Sequence, residues 1–139
     1  MVILDTNVIS ELTRLNPEPR VLVWLDRQFQ DQVFVTAISK AEIIFGLECM
    51  AAGKRRFELE EIYRRLFQTR FLGRVLPFAE DCAHYFARFA ASAVKPGIGA
   101  STPDLQIAAI AAFHCFSVAT RNTMDFDHEG LDVINPWTD

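Results

Sequence analysis

Apolar residues recur along this chain in two rhythms. Short runs at Val2-Ile3-Leu4, Val33-Phe34-Val35, Val75-Leu76, Ser117-Val118-Ala119 and Asp132-Val133-Ile134 are too brief for helices and rich in β-branched residues, which predicts strands. Between them apolar positions fall three and four apart. Val8, Ile9 and Leu12 predict a helix over Thr6–Thr13, stopped by Asn16-Pro17-Glu18-Pro19, and a second helix runs from about Pro19 to Phe29. Ile43, Ile44 and Leu47 share one face of a helix from Ile38 to Met50 that Gly53 ends, and residues 55–71 form a longer amphipathic helix. Glu80–Val94, rich in Ala and Phe, predicts a further helix, broken by the loop Lys95-Pro96-Gly97-Ile98-Gly99-Ala100. Another helix spans about Pro103–Cys115, and a short helical turn follows Asn122. Such alternation predicts an α/β fold, a parallel sheet sandwiched by helices.

The 139 residues fit one domain, 1–139, with no repeat, linker or low-complexity segment. Half are hydrophobic and twelve are Phe, more apolar surface than a core of this size buries, so a homodimer is expected. The start lacks the basic flank and long apolar core of a signal peptide, and no run of eighteen apolar residues occurs, so the expectation is a soluble, cytoplasmic protein without membrane contact. Cys49, Cys82 and Cys115 are odd in number, far apart and set among apolar neighbours, which favours buried hydrophobes over a disulfide framework or a zinc site.

A net charge of −4 argues against general nucleic-acid binding. The charge is unevenly placed, however. Seven of the fourteen basic residues lie between Lys54 and Arg74 beside only three acids, a local +4 that leaves −8 elsewhere. The plainer reading is a solvated helix face with pairs such as Glu60 with Arg64 and Glu61 with Arg65. The sharper one is a track for a phosphate backbone.

Asp5, Glu42 and Asp104 each follow an extended or loop segment and open a helical stretch, and Asp125 repeats the arrangement behind Asn122. Each alone can be read as a helix cap. Ser39-Lys40-Ala41-Glu42 has the form of a capping box, Thr102-Pro103-Asp104 that of a cap, an N1 proline and a first-turn acid, Asn122 with Asp125 mimics a box, and Asp5 can cap the first helix. In a parallel sheet, however, all of these groups map to the edge where the strands end. Carboxylates converging to ~5 Å would repel by ~3 kcal/mol per pair at an effective dielectric near ~20, against ~1 kcal/mol from each cap. One or two divalent cations would sustain such a cluster where capping would not. Oxygen donors without His or Cys select Mg²⁺ or Mn²⁺, and phosphodiester hydrolysis is the chemistry that fits. No nucleophile elbow, Walker loop or dinucleotide fingerprint follows a strand, and His84, His114 and His128 are not needed for the site.

The motifs Ile3-Leu4-Asp5-Thr6-Asn7-Val8-Ile9-Ser10-Glu11, Ser39 to Gly46, Asp104 to Ala111 and Ala119 to Phe126 occur in this order over the whole length. In these the chain resembles the PIN-domain ribonucleases, and within them the VapC toxins of bacterial toxin–antitoxin pairs. The ending Ile134-Asn135-Pro136-Trp137 is similar to the FitB branch. The resemblance implies a three-layer α/β/α sandwich with a mainly parallel central sheet, and a Mg²⁺- or Mn²⁺-dependent endoribonuclease. Asp5 and Asp104 would be the principal metal ligands, and Glu42 would ligate directly or through water. The family's fourth acidic place falls on Asn122, with Asp125 three residues on, which leaves open that Asn122 ligates as a neutral oxygen, that Asp125 substitutes for it, or that one metal is bound only with substrate. Thr6, Ser39 and Thr120 match supporting hydroxyl residues. Lys54, Arg55, Arg56 and Arg121 are candidate RNA contacts. Pro103, a departure from the family, is expected at N1, stiffening the approach to Asp104. The family also implies a homodimer and a small DNA-binding antitoxin that sends a basic side chain towards the acidic pocket, operator DNA being contacted only through that antitoxin. Alternatives are a magnesium-dependent phosphatase or deoxyribonuclease on the same carboxylates, or a catalytically weak module acting within the repressor complex.

Overall fold

A computed structural model of the chain describes residues 1–94, 97 and 99–139, so Lys95, Pro96 and Ile98 of the expected loop lie outside the described residues. The strands are β1 (Val2–Leu4), β2 (Val33–Thr36), β3 (Val75–Leu76), β4 (Ser117–Ala119) and β5 (Val133–Ile134). The helices are α1 (Thr6–Glu11), α2 (Pro19–Asp26), α3 (Ala37–Glu48), α4 (Lys54–Gln68), α5 (Ala83–Val94) and α6 (Thr102–His114), with 3-10 turns over Gln30–Gln32, Glu80–Cys82 and Thr123–Phe126. All strand pairs are parallel, in the order β3-β2-β1-β4-β5, so β1 is central.

Strand periodicity divides the core. Val2 and Leu4, with Val33 and Val35, pack with Val8 and Ile9 of α1, Val21 and Leu25 of α2 and Ile43 and Leu47 of α3; Leu59, Tyr63 and Phe67 of α4 close over that layer. Ile3 and Val118 point the other way, onto α6, Phe89 of α5 and Phe126. Helices therefore cover both sheet faces, the α/β/α sandwich expected. Burying each large aliphatic side chain in these layers stabilises the fold by roughly 1.5–3 kcal/mol. Helix α6, Ala- and Ile-rich and apolar all round, is buried along Leu105 and Ile107–Ala111.

Several expectations are corrected. Helix α4 stops at Gln68, because Phe71 turns back, donates its N–H to Leu66 O (2.9 Å) and buries its ring completely, while Gly73 supplies a left-handed φ of 73°. Gly53 does not end α3; it is the residue before α4. The pairs on α4 are Lys54 with Glu58, Arg56 with Glu60 and Arg64 with Glu61, and Arg56 also reaches Glu48; the register anticipated from Glu60–Arg64 and Glu61–Arg65 is not used. Of the three cysteines only Cys82 is buried. No helix among the described residues is long and apolar enough to cross a membrane.

Cys115 is exposed because it terminates α6 with φ 56° and ψ 40°. The N–H of Phe116 reaches back to Ala111 O (3.0 Å), the six-to-one bond of a Schellman turn, and Phe116 packs against the α5–α6 core. A left-handed residue with a Cβ is strained there, and glycine relieves that strain at some cost in chain entropy. Cys115→Gly is therefore expected to stabilise the protein by about 0.5–1 kcal/mol, read as a higher urea midpoint at unchanged m-value.

Candidate active site

Asp5 is the residue after the central strand. Its N–H donates to Ala119 O (2.9 Å), carrying the β1–β4 ladder one residue further, and the residue is only 3% exposed. Thr6 N–H donates to its Oδ1 (2.7 Å), while the Thr120 hydroxyl (2.7 Å) and the Asn7 side-chain amide (3.1 Å) donate to Oδ2. Thr120, fully buried at the end of β4, also accepts from Asn122 N–H (3.0 Å) and from the Asn7 amide (3.2 Å).

Glu42 does not cap a helix. The N-cap of α3 is Thr36, whose hydroxyl accepts from Ser39 N–H (3.1 Å), which puts Glu42 one turn inside α3. The Thr6 hydroxyl lies 2.8 Å from Glu42 Oε1 and 2.9 Å from the buried Ser39 Oγ. With one proton to give, Thr6 donates to the charged oxygen and accepts from Ser39. Asp104 sits in the first turn of α6, where Ser101, and not Thr102, is the cap: its Oγ accepts from Asp104 N–H (3.3 Å). Pro103 is thus the second helical residue rather than the first. Asn122 precedes the 3-10 turn holding Asp125 without any side-chain capping bond.

These acids feel one another. Burial pushes the Asp5 carboxyl from 3.8 up to about 6, against the pull of its Thr120 and Thr6 hydrogen bonds and with help from the charges of Asp104 and Glu42. Asp104 is also raised, chiefly by burial and further by Asp125, with Ser101 working against the shift. Asp5, Glu42, Asp104, Thr6 and Asn122 line one open cavity of about 440 Å³. Arg121 joins them at its wall; Lys54, Arg55 and Arg56 do not line it.

Residues 2–128 match the PIN domain family. The chain belongs to that family. It is 44% identical over 137 residues to VapC ribonuclease Y4jK of Sinorhizobium fredii, covering 99% of this chain and 98% of the relative. With Toxin FitB of Neisseria gonorrhoeae the identity is 39% over 139 residues and all of both chains. A solved structure of FitAB bound to an IR36 DNA fragment superposes with a TM-score of 0.90 at 39% identity, over 99% of this chain and 96% of that one.

The donor set of this PIN domain fits a divalent cation. No His or Cys is among the described residues that line the cavity, so its metal-donor atoms are oxygens, which suits Mg²⁺ or Mn²⁺. No three His, Cys, Asp or Glu side chains among the described residues already surround one point. Mg²⁺ keeps several waters and takes only one or two carboxylates, so buried Asp5 with half-buried Asp104 fits that demand.

Sequence reasoning missed Asn7, Ser10, Glu11, Arg14 and Trp137, which complete the lining. The first four carry a signal: their i, i+3, i+4, i+7 spacing is one polar helical face opposite Val8, Ile9 and Leu12. Trp137 entered only through the FitB-like ending, without a site role, and a turn after β5 carries it in.

The raised Asp5 pKa has a consequence for stability. The folded state holds this proton more tightly than the unfolded chain, so its stabilising contribution is complete below about pH 4 and is lost as the pH rises through about 6. Without metal, the parent protein should lose about 3 kcal/mol over that window from this group alone. Asp5→Asn should lack that loss, and superimposable pH–stability curves for the two proteins would refute the assignment.

Proposed function

We propose that this PIN domain is the ribonuclease toxin of a VapC/FitB-type toxin–antitoxin pair, an endoribonuclease dependent on Mg²⁺ or Mn²⁺. The observation that carries this reading is the convergence of Asp5, Glu42 and Asp104 on one open cavity, with Asp5 buried and pushed up to about 6. Full-length similarity to VapC ribonuclease Y4jK and Toxin FitB supports the same class.

Asp5 and Asp104 hold the cation, one ion or two, with Glu42 ligating directly or through water. When bound, the cation supplies positive charge against the negative charge developing on the phosphodiester and lowers the pKa of water at the site. The chain's own groups prepare that place. Thr120 and Thr6 fix the Asp5 oxygens, and the Thr6 hydroxyl holds Glu42 in its rotamer. Asn122, on the cavity wall, offers a neutral carbonyl, while Asp125, which does not line the cavity, adds negative charge beside Asp104.

The FitAB structure on a DNA fragment supports a complex with a DNA-binding antitoxin. A basic side chain of that antitoxin would close the acidic cavity by charge complementarity. Exposed Phe29, Phe45, Phe57 and Phe113 leave apolar surface for a homodimer and for that partner.

Antitoxin-free protein should cleave structured RNA with Mn²⁺ or Mg²⁺ and not with chelator, and Asp5→Asn combined with Asp104→Asn should lower the rate by at least about a hundredfold. Equal cleavage by parent and variant, or none over a broad RNA panel by folded protein, would move the assignment to a partner-binding module of the repressor complex.

A further inference from the structure

A second cavity of about 620 Å³ shares Glu11, Arg14, Arg121 and Trp137 with the carboxylate cavity and continues from it towards Leu15 and Leu22. Its wall is fixed by the end of the chain. The Asn135 side-chain oxygen accepts from Trp137 N–H (3.0 Å), Asp139 accepts from Asn135 N–H (2.7 Å), and Arg20 donates to Trp137 O (3.3 Å). The half-buried indole packs against the α1–α4 core, and the Arg121 guanidinium lies 5.4 Å from its ring centroid. Arg121 is exposed and has no acidic partner among the described residues. The acids of this cavity are engaged: buried Glu11 accepts from Glu18 N–H (2.7 Å) and Arg14 (3.2 Å), and Glu18 accepts from Arg20 N–H (3.4 Å). A planar cation backed by an indole therefore faces outward where the two cavities meet.

We infer that this continuation is the subsite for the nucleotide next to the scissile phosphate, with Arg121 on its Trp137 backing as the stacking shelf and Leu15 and Leu22 as its apolar rim. The inference rests on the ribonuclease reading. A single-stranded nucleotide brings a planar base and a phosphate on one short linker, and guanidinium planes and aromatic rings are the surfaces on which unstacked bases settle. A substrate cut at the carboxylates must lay its neighbouring nucleotide within one residue's reach, and this groove is continuous with them. Trp137 is a positioning residue in this scheme: it holds the plane of Arg121 without reaching the reacting atoms.

The test uses the full chain carrying Trp24→Phe, which leaves Trp137 as the single tryptophan of the two. Titration with a short single-stranded RNA of mixed sequence should quench Trp137 emission over the same concentrations that saturate RNA binding followed by anisotropy. Trp137→Leu should raise KM for RNA cleavage roughly tenfold at nearly unchanged kcat, with Trp137→Phe restoring most of the loss. Leu15→Glu, at a side chain 85% exposed, should raise KM without disturbing the core, and it decides the matter if Trp137→Leu fails to fold. RNA cleaved by the parent with unchanged Trp137 emission, and with parental KM in Leu15→Glu, would overturn the subsite and leave the nuclease reading standing. Variants that weaken antitoxin binding but not RNA turnover would assign the groove to the protein partner instead. A parent that neither binds nor cuts RNA overturns both readings.

Discussion

The buried hydrogen bond from the Thr120 hydroxyl to Asp5 ties together the carboxyl ends of β1 and β4, the central strand and its neighbour. Leu4 pairs with Ala119, so the next residue on each strand, Asp5 and Thr120, must meet at the sheet edge. Burial there disfavours the charged carboxylate, and the donors from Thr6, Asn7 and Thr120 offset only part of that penalty. What remains is a carboxyl raised to about 6, poised to gain from any positive charge placed beside it.

The other acids arrive from opposite layers. Glu42 is carried by α3, packed on the sheet face that holds Val2 and Leu4, and Asp104 by α6, packed on the face that holds Ile3 and Val118. The cavity exists only when both layers are seated on the sheet. Core packing thus sets the spacing of the charges, and the charges in turn oppose the metal-free fold. On the proposed function, a divalent cation and a basic side chain from an antitoxin relieve the same repulsion, which is why the one would compete with the other.

Basic residues divide by what they touch. On α4, Arg56 is held by Glu48 and Glu60, and Arg64 by Glu61 and Gln68, so these two cations of the run are engaged locally. Arg121, and Arg14 on its Glu11 partner, stand at the carboxylate cavity. On the proposed function, in a chain of net charge −4, cations at the mouth meet a polyanion at the carboxylates themselves, as those held by acids on α4 do not.

The strands, the six helices and the acidic groups at the carboxyl edge were legible in the sequence because they depend on local periodicity, β-branched runs and the one-sided geometry of parallel sheets. Asp5, Glu42 and Asp104 could be named as candidates, though not the hydrogen-bond partners that surround them. Whether Glu42 capped its helix depended on where α3 begins, and a Thr36 hydroxyl one turn upstream decided that. The end of α4 depended on a hole in the core that Phe71 fills, and the exposure of Cys115 on a left-handed turn that brings Phe116 back onto α5 and α6. Trp137 stands beside Arg121 because β5 pairs with β4 and an Asn135-centred turn reverses the chain. By itself the sequence determined which segments are strand or helix and which residues carry charge. The tertiary structure alone decided which side chains meet, because those contacts join residues far apart in the chain, 36 positions for Thr6 and Glu42 and 115 for Asp5 and Thr120, and no periodicity encodes them.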